Sequence, residues 1–236
     1  TETSKSAKEY SNLFFKRIIK KTKNNSFVVE IASNDGTFLK PFKKSRRLVL
    51  GVDPAKNIAK IANQKGIKTI PKFFNNKCAG EIVKKYSYAD IVFARNVIPH
   101  VKDIHSIIKG INTLLSEKGT AVIEFHYSKI IQKELHYDSI YHEHLFYFTI
   151  KTITQLFKKY GLFTFDVDNS PISGGSLVLY FSKTKKSLSK NLYNLIKEEK
   201  LKKINQFSTW KKFAVNSTKH AKRFKKTLQN LNNQKK

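Results

Sequence analysis

Over the first 25 residues, Tyr10, Leu13, Phe14, Arg17, Ile18 and Lys21 fall at helical spacing, with Leu13, Phe14 and Ile18 as the apolar stripe. From Ser26 the pattern changes to short β-branched runs bounded by turn residues. Residues 27–33, 47–53, 67–70, 89–95 and 119–125 read as buried strands. Helical stretches are predicted over 36–44, 55–64 and 101–115. Such alternation implies right-handed crossovers and an open, mostly parallel sheet covered on both faces. An irregular stretch, 126–148, precedes a helix over 150–160. Two further runs, 162–168 and 176–182, predict an antiparallel pair at the sheet edge. The remainder is helical by pattern, and its end, RFKKTLQNLNNQKK, is too polar to pack much. Three parts are expected: a helical lead (1–25), a Rossmann-like α/β domain (26–182) and a basic helical extension (183–236).

Composition sharpens this picture in three ways. With 236 residues and 40% hydrophobic content the chain can build a sizeable core. Cys78 alone excludes an internal disulfide framework or a Cys-based zinc finger, and with no apolar span or secretory leader a cytoplasmic protein is expected. The net charge of +29 suggests nucleic acid, but only five of the 46 cations are Arg. Residues 183–236 alone carry a net +15, so nonspecific attraction by a lysine coat is the expectation.

In an open α/β sheet, ligands bind beyond the carboxyl ends of the strands. The loop after the first strand runs Glu30-Ile31-Ala32-Ser33-Asn34-Asp35-Gly36. A dinucleotide site would want three glycines against a pyrophosphate, and here only Gly36 is present. Glu30 and Asp35 suit an ammonium or sulfonium charge instead, while Ala32 and Gly36 leave room. Asp53, ending the second strand, either accepts two ribose hydroxyls or caps the next helix.

This loop, the G-V-D-P end of the second strand and F-A-R-N-V after the fourth resemble class I S-adenosylmethionine-dependent methyltransferases. The resemblance implies a seven-stranded sheet with an antiparallel last pair and S-adenosylmethionine as cofactor. It implies Glu30, Ala32, Asn34 and Gly36 around the methionine part, Asp53 on the ribose, Phe74 near the adenine and Asn96 beside the cofactor.

Six of seven histidines lie between His100 and His144. His136, Asp138, His142, Glu143 and His144 are reasonable metal ligands, but no HExxH-type pair occurs and no metal is expected. The other reading is acid–base chemistry. Tyr141 and His144 are one helical turn apart, so an imidazole can take a proton while a phenol donates to a developing oxyanion. Glu143 can polarise an imidazole or hold a hydroxyl.

The segment FHYSKIIQKELHYDSIYHEHLFYF, with ARNVIPHV and SGGSLVLY, is similar to C-methyltransferases of nucleotide-linked keto-deoxysugars. Their Y-x-E-H box maps to Tyr141, Glu143 and His144, and a further histidine to His100. The resemblance implies that a C4 ketone acidifies the C3 proton, His144 removes it, and Tyr141 and His100 stabilise the enolate. Its departures are Ser173 where a His is expected and Val178 where an Arg is expected. With one cysteine, the chain is expected to be a catalytic core without the usual amino-terminal zinc module and carboxy-terminal domain. A nucleotide-linked sugar is the expected partner. An RNA methyltransferase and a non-catalytic basic module are the alternatives.

Overall fold

The computed structural model describes residues 4–22, 27–171 and 174–234. Helix α1 (Lys5–Lys21) starts at Ser4, whose hydroxyl accepts from the Ala7 amide. It buries Tyr10, Phe14 and Ile18, a spacing of four that keeps one face on the sheet, while Leu13 turns outward at 37% exposure. The expected stripe therefore differs in one member, with Tyr10 in place of Leu13.

The strands are β1 (Phe27–Ile31), β2 (Leu48–Val52), β3 (Thr69–Ile70), β4 (Ala89–Arg95), β5 (Leu115–His126), β6 (Phe163–Asn169) and β7 (Ser176–Ser182). They form one seven-stranded sheet in the order β3-β2-β1-β4-β5-β7-β6. Neighbours run parallel except β7, which is antiparallel to both β5 and β6. The order reverses between β1 and β4, which opens a crevice at their carboxyl ends.

On one face lie α2 (Lys40–Lys44), α3 (Lys56–Gln64) and α1, whose Phe14 packs edge-on against Phe93 of β4. On the other lie α4 (Asn76–Lys85), α5 (Ile104–Leu114) and, beyond the short α6 (Ser128–Glu134), α7 (Ile150–Lys158). The reading of the sequence placed no helix at α4. Its buried face is only Cys78, Ala79 and Ile82, too thin a stripe to stand out among Asn, Lys and Glu. Val178, at the position where an Arg was expected, is a core residue packed with Tyr180 on the α1 face. Ser173 lies outside the described residues.

Two helices close the chain, α8 (Lys190–Leu201) and α9 (Phe207–Asn233). α8 is tied in by Glu199, whose carboxylate accepts from the first amides of α7 at Ile150 (2.6 Å) and Lys151 (3.2 Å). α9 buries only Phe213, so its carboxy-terminal half stands exposed, as its polarity predicts. Among the described residues no helix is long and apolar enough to cross a membrane.

Candidate active site

The carboxyl end of β1 is crowded with acids. Glu30 is buried at 3% exposure between β2 and β4, and its Oε2 has no hydrogen-bond partner among the described residues. Burial pushes its carboxyl well above the usual carboxylate range, opposed by the Arg95 cation and reinforced by Asp35, Asp53 and Glu124. Arg95 is itself engaged. Its Nε donates to Glu124 (2.7 Å) and its guanidinium lies 3.2 Å from the centre of the Phe38 ring.

The loop that follows is shaped by left-handed residues: Ala32, Asn34 and Gly36 have φ of 53°, 50° and 75°. This coiling turns the Asn34 amide onto Asp53 Oδ2 (2.8 Å), while Asp53 Oδ1 accepts from the Ala55 amide (2.9 Å). Asp53 is not the cap of α3, whose N-cap is Ala55. Each of its oxygens keeps a lone pair for another donor. Asp35 turns inward and accepts from the Thr37 amide (3.2 Å) and hydroxyl (2.7 Å). A phosphate-free cation suits this end of the sheet: it would supply the charge that buried Glu30 lacks, whereas an anion would meet Glu30, Asp35 and Asp53 together.

Phe74 is 8% exposed, and its ring lies against Gly110 of α5, where an added Cβ would approach it to 3.0 Å. Phe74 packs with the core cluster, whereas neighbouring Phe73 is 78% exposed. Only the contrast in exposure distinguishes the two, and the sequence F-F does not carry it.

The second half of the site sits on the excursion between β5 and α7. Tyr127 bridges Phe148, and the Ser128 amide donates to the Phe148 carbonyl (3.0 Å), so residues 128–147 leave the strand end and return to it. The loop is also stitched to the turn after β4. The Leu145 and Phe146 amides donate to the Pro99 carbonyl (2.9 and 3.2 Å), and His100 Nδ1 donates to the Glu143 carbonyl (2.9 Å). Asn96, at φ 52°, begins that turn and donates its amide to the Glu124 carbonyl (2.8 Å).

A cleft of about 190 Å³ results, lined among others by Asn96, His100, His126, His144 and Tyr147. Within it His144 Nδ1 lies 2.7 Å from the Ser139 carbonyl. A carbonyl only accepts, so Nδ1 carries a proton, and in the neutral ring Nε2 is a bare lone pair. The Tyr141 hydroxyl lies 3.2 Å from that Nε2 and donates to it. The rings of His100 and His144 are 4.7 Å apart. The side chain of Glu143 is exposed, and its contribution here is its carbonyl on His100.

The other histidines disperse. His105 pairs with the Tyr160 hydroxyl (2.6 Å), His142 is exposed, and His136 stands 3.4 Å from Glu134. No group of three His, Cys, Asp or Glu side chains among the described residues is arranged to hold a metal ion. His126, the last residue of β5, was grouped with the other histidines but given no role, although it reaches the cleft. Its place at a strand's carboxyl end is the signal that marks it.

Residues 5–164 match the profile of the methyltransferase-domain family, and residues 171–236 match that of a C-methyltransferase C-terminal domain. The basic stretch 183–236 thus falls within a region similar to that domain. Over 157 residues, 66% of this chain, it is 36% identical to the C-methyltransferase NovU of Streptomyces niveus; the match spans 37% of that relative's length. Among solved structures, magnesium protoporphyrin IX methyltransferase of Synechocystis with bound S-adenosylmethionine superposes at a TM-score of 0.55 and 11% identity, covering 76% of this chain and 80% of the other. A possible histamine N-methyltransferase of Thermotoga maritima does so at 0.55 and 17%, covering 75% and 91%. These likenesses speak for the fold. Together with the strand order, the antiparallel β7 and the family match over most of its length, they establish that the chain belongs to the class I S-adenosylmethionine-dependent methyltransferases.

Proposed function

We propose that this chain carries out C-methylation of a nucleotide-linked keto-deoxysugar. One observation carries the reading: the Tyr141 hydroxyl lies 3.2 Å from Nε2 of His144, which lines a cleft with His100 and Asn96. That is a base and an acid held together beside the cofactor end of the sheet. The 36% identical relative, named a C-methyltransferase, supports the same chemistry.

Glu30, Ala32, Asn34, Asp35, Gly36, Asp53, Phe74 and Asn96 would hold the cofactor. Glu30 and Asp35 would face its positive charge, and Asp53 would offer lone pairs to ribose hydroxyls. The cofactor supplies a methyl group on a positively charged sulfur, the electrophile that an electron-rich carbon takes.

The chain's own part is to make that carbon electron-rich. His144 Nε2 takes the proton from the carbon beside the ketone, which general-base catalysis accelerates by about 10²–10⁴-fold. The Ser139 carbonyl stabilises the imidazolium that forms, since Nδ1–H already points at it. Tyr141 first has to release Nε2. At 3.2 Å its hydrogen bond is long and easily exchanged, and its hydroxyl turns to donate to the ketone oxygen as negative charge develops there. His100, with Nδ1 committed to the Glu143 carbonyl, is fixed in orientation at the cleft's rim.

Methyl transfer across a panel of 4-keto nucleotide sugars, run beside an RNA pool, tests the reading. Labelled methyl entering a carbon of a sugar is the expected result. Transfer to RNA alone would overturn it, and would give the lysine coat a catalytic purpose.

A further inference from the structure

The cleft contains a histidine that the proposed mechanism does not use. His126 lines it beside Asn96, His100 and His144, and its Nε2 is buried without a partner among the described residues. β5 pairs His126 with Ser176 of β7, and the ring of His136 lies 5.9 Å away. The loop before β7 packs closely here: a Cβ on Gly175, at φ 104°, would come within 2.6 Å of Ile130. The Gly174 backbone beside the ring favours a proton on it. We place that proton on Nδ1, since Nε2 has no partner among the described residues, and Nε2 is then the acceptor.

We infer that His126 is the specificity-determining residue of this cleft: its Nε2 accepts a hydrogen bond from a donor group, hydroxyl or amine, on the acceptor molecule. The inference rests on the reading of the acceptor as a keto sugar. A buried acceptor nitrogen with nothing to accept from destabilises the empty cleft, and a ligand bearing a donor removes that penalty. A ligand lacking the donor leaves it in place, which is how a polar pocket rejects a deoxy analogue far more strongly than an apolar pocket rejects an added group. Burial, the charge of His136 and, more weakly, that of His144 all disfavour the imidazolium of His126; the Gly174 contact and Asp138 favour it, and the balance is a ring pushed toward neutrality. A group held neutral in this way is the poorer proton acceptor beside His144 and the better fixed hydrogen-bond acceptor.

The experiment compares kcat/KM for 4-keto nucleotide sugars that differ from a parent by a single hydroxyl or amine. In the wild type, loss of one particular donor is expected to cost about a hundredfold or more. In His126→Phe that ratio collapses to within about threefold of unity, and in His126→Gln, whose side-chain carbonyl can accept, part of it returns. Exchanging hydroxyl for amine at the sensitive position identifies which donor is read. Wild-type ratios persisting in His126→Phe would overturn the inference, as would equal loss of turnover on every sugar in both variants. A wild type that methylates no sugar overturns the parent reading, and this one with it.

Discussion

The end of β1 and the excursion after β5 solve opposite problems with the same means. At β1 the functional groups are carboxylates, and backbone amides hold them: Asn34 and Ala55 donate to Asp53, and Thr37 donates to Asp35. In the excursion they are imidazoles, and backbone carbonyls hold them: Ser139 accepts from His144 and Glu143 from His100. Amides favour the charged form of an acid. Carbonyls fix the proton of an imidazole on Nδ1 and leave Nε2 basic. One region is thereby prepared for a positive charge and the other for a proton. The backbone sets both polarities, and the side chains only present them.

If the two regions are separate in function, substitutions should separate binding from turnover. The largest expected effect after removal of the base itself is at its partner. Tyr141→Phe keeps the ring but loses the donor, and turnover should fall about 10²–10³-fold with cofactor affinity unchanged, as read by steady-state rates beside calorimetric binding. Asp53→Ala should do the reverse, weakening binding of the demethylated cofactor about 10–100-fold, the range for lost hydrogen bonds to a charged acceptor. Unchanged affinity would remove Asp53 from the site.

The smallest effect is the most diagnostic of how the β1 end is built. Glu30→Gln should weaken cofactor binding yet stabilise the free protein. The folded carboxyl binds its proton more tightly than the unfolded one, so above the unfolded value of about 4.5 the wild type loses stability as pH rises. The Gln variant cannot ionise and escapes that decline. Melting temperatures of the two should diverge as pH rises above about 4.5, and parallel curves would show that Glu30 does not change its protonation on folding.

The same contrast explains what could be read from the sequence. The β1 end was legible because strand periodicity fixes where a strand stops, and the first loop residues follow by register. The antiparallel final pair was legible because the loop between its two runs is too short for a parallel crossover. Helix α4 was not, because its buried face is three small or medium residues. Within the excursion, the pairing of Tyr141 with His144 follows from a spacing of three. The neighbours that complete the cleft come from β4's turn and from the end of β5, and no local spacing brings Asn96, His100 and His126 to one place. Tertiary stitching at Pro99 and at Ser128 does that. Val178 illustrates the limit of analogy: where a charged family residue was expected, this sheet buries a methyl-rich side chain in its core.

The central claim is that His144 Nε2 takes the proton that precedes methyl transfer. It is tested most directly by following exchange of the acidic sugar proton with deuterium oxide, without methyl transfer, in the wild type and in His144→Ala. The account predicts exchange in the wild type and its loss in the variant by about 10²–10⁴-fold, with binding of the demethylated cofactor intact. Exchange that persists in the variant at the wild-type rate would contradict it.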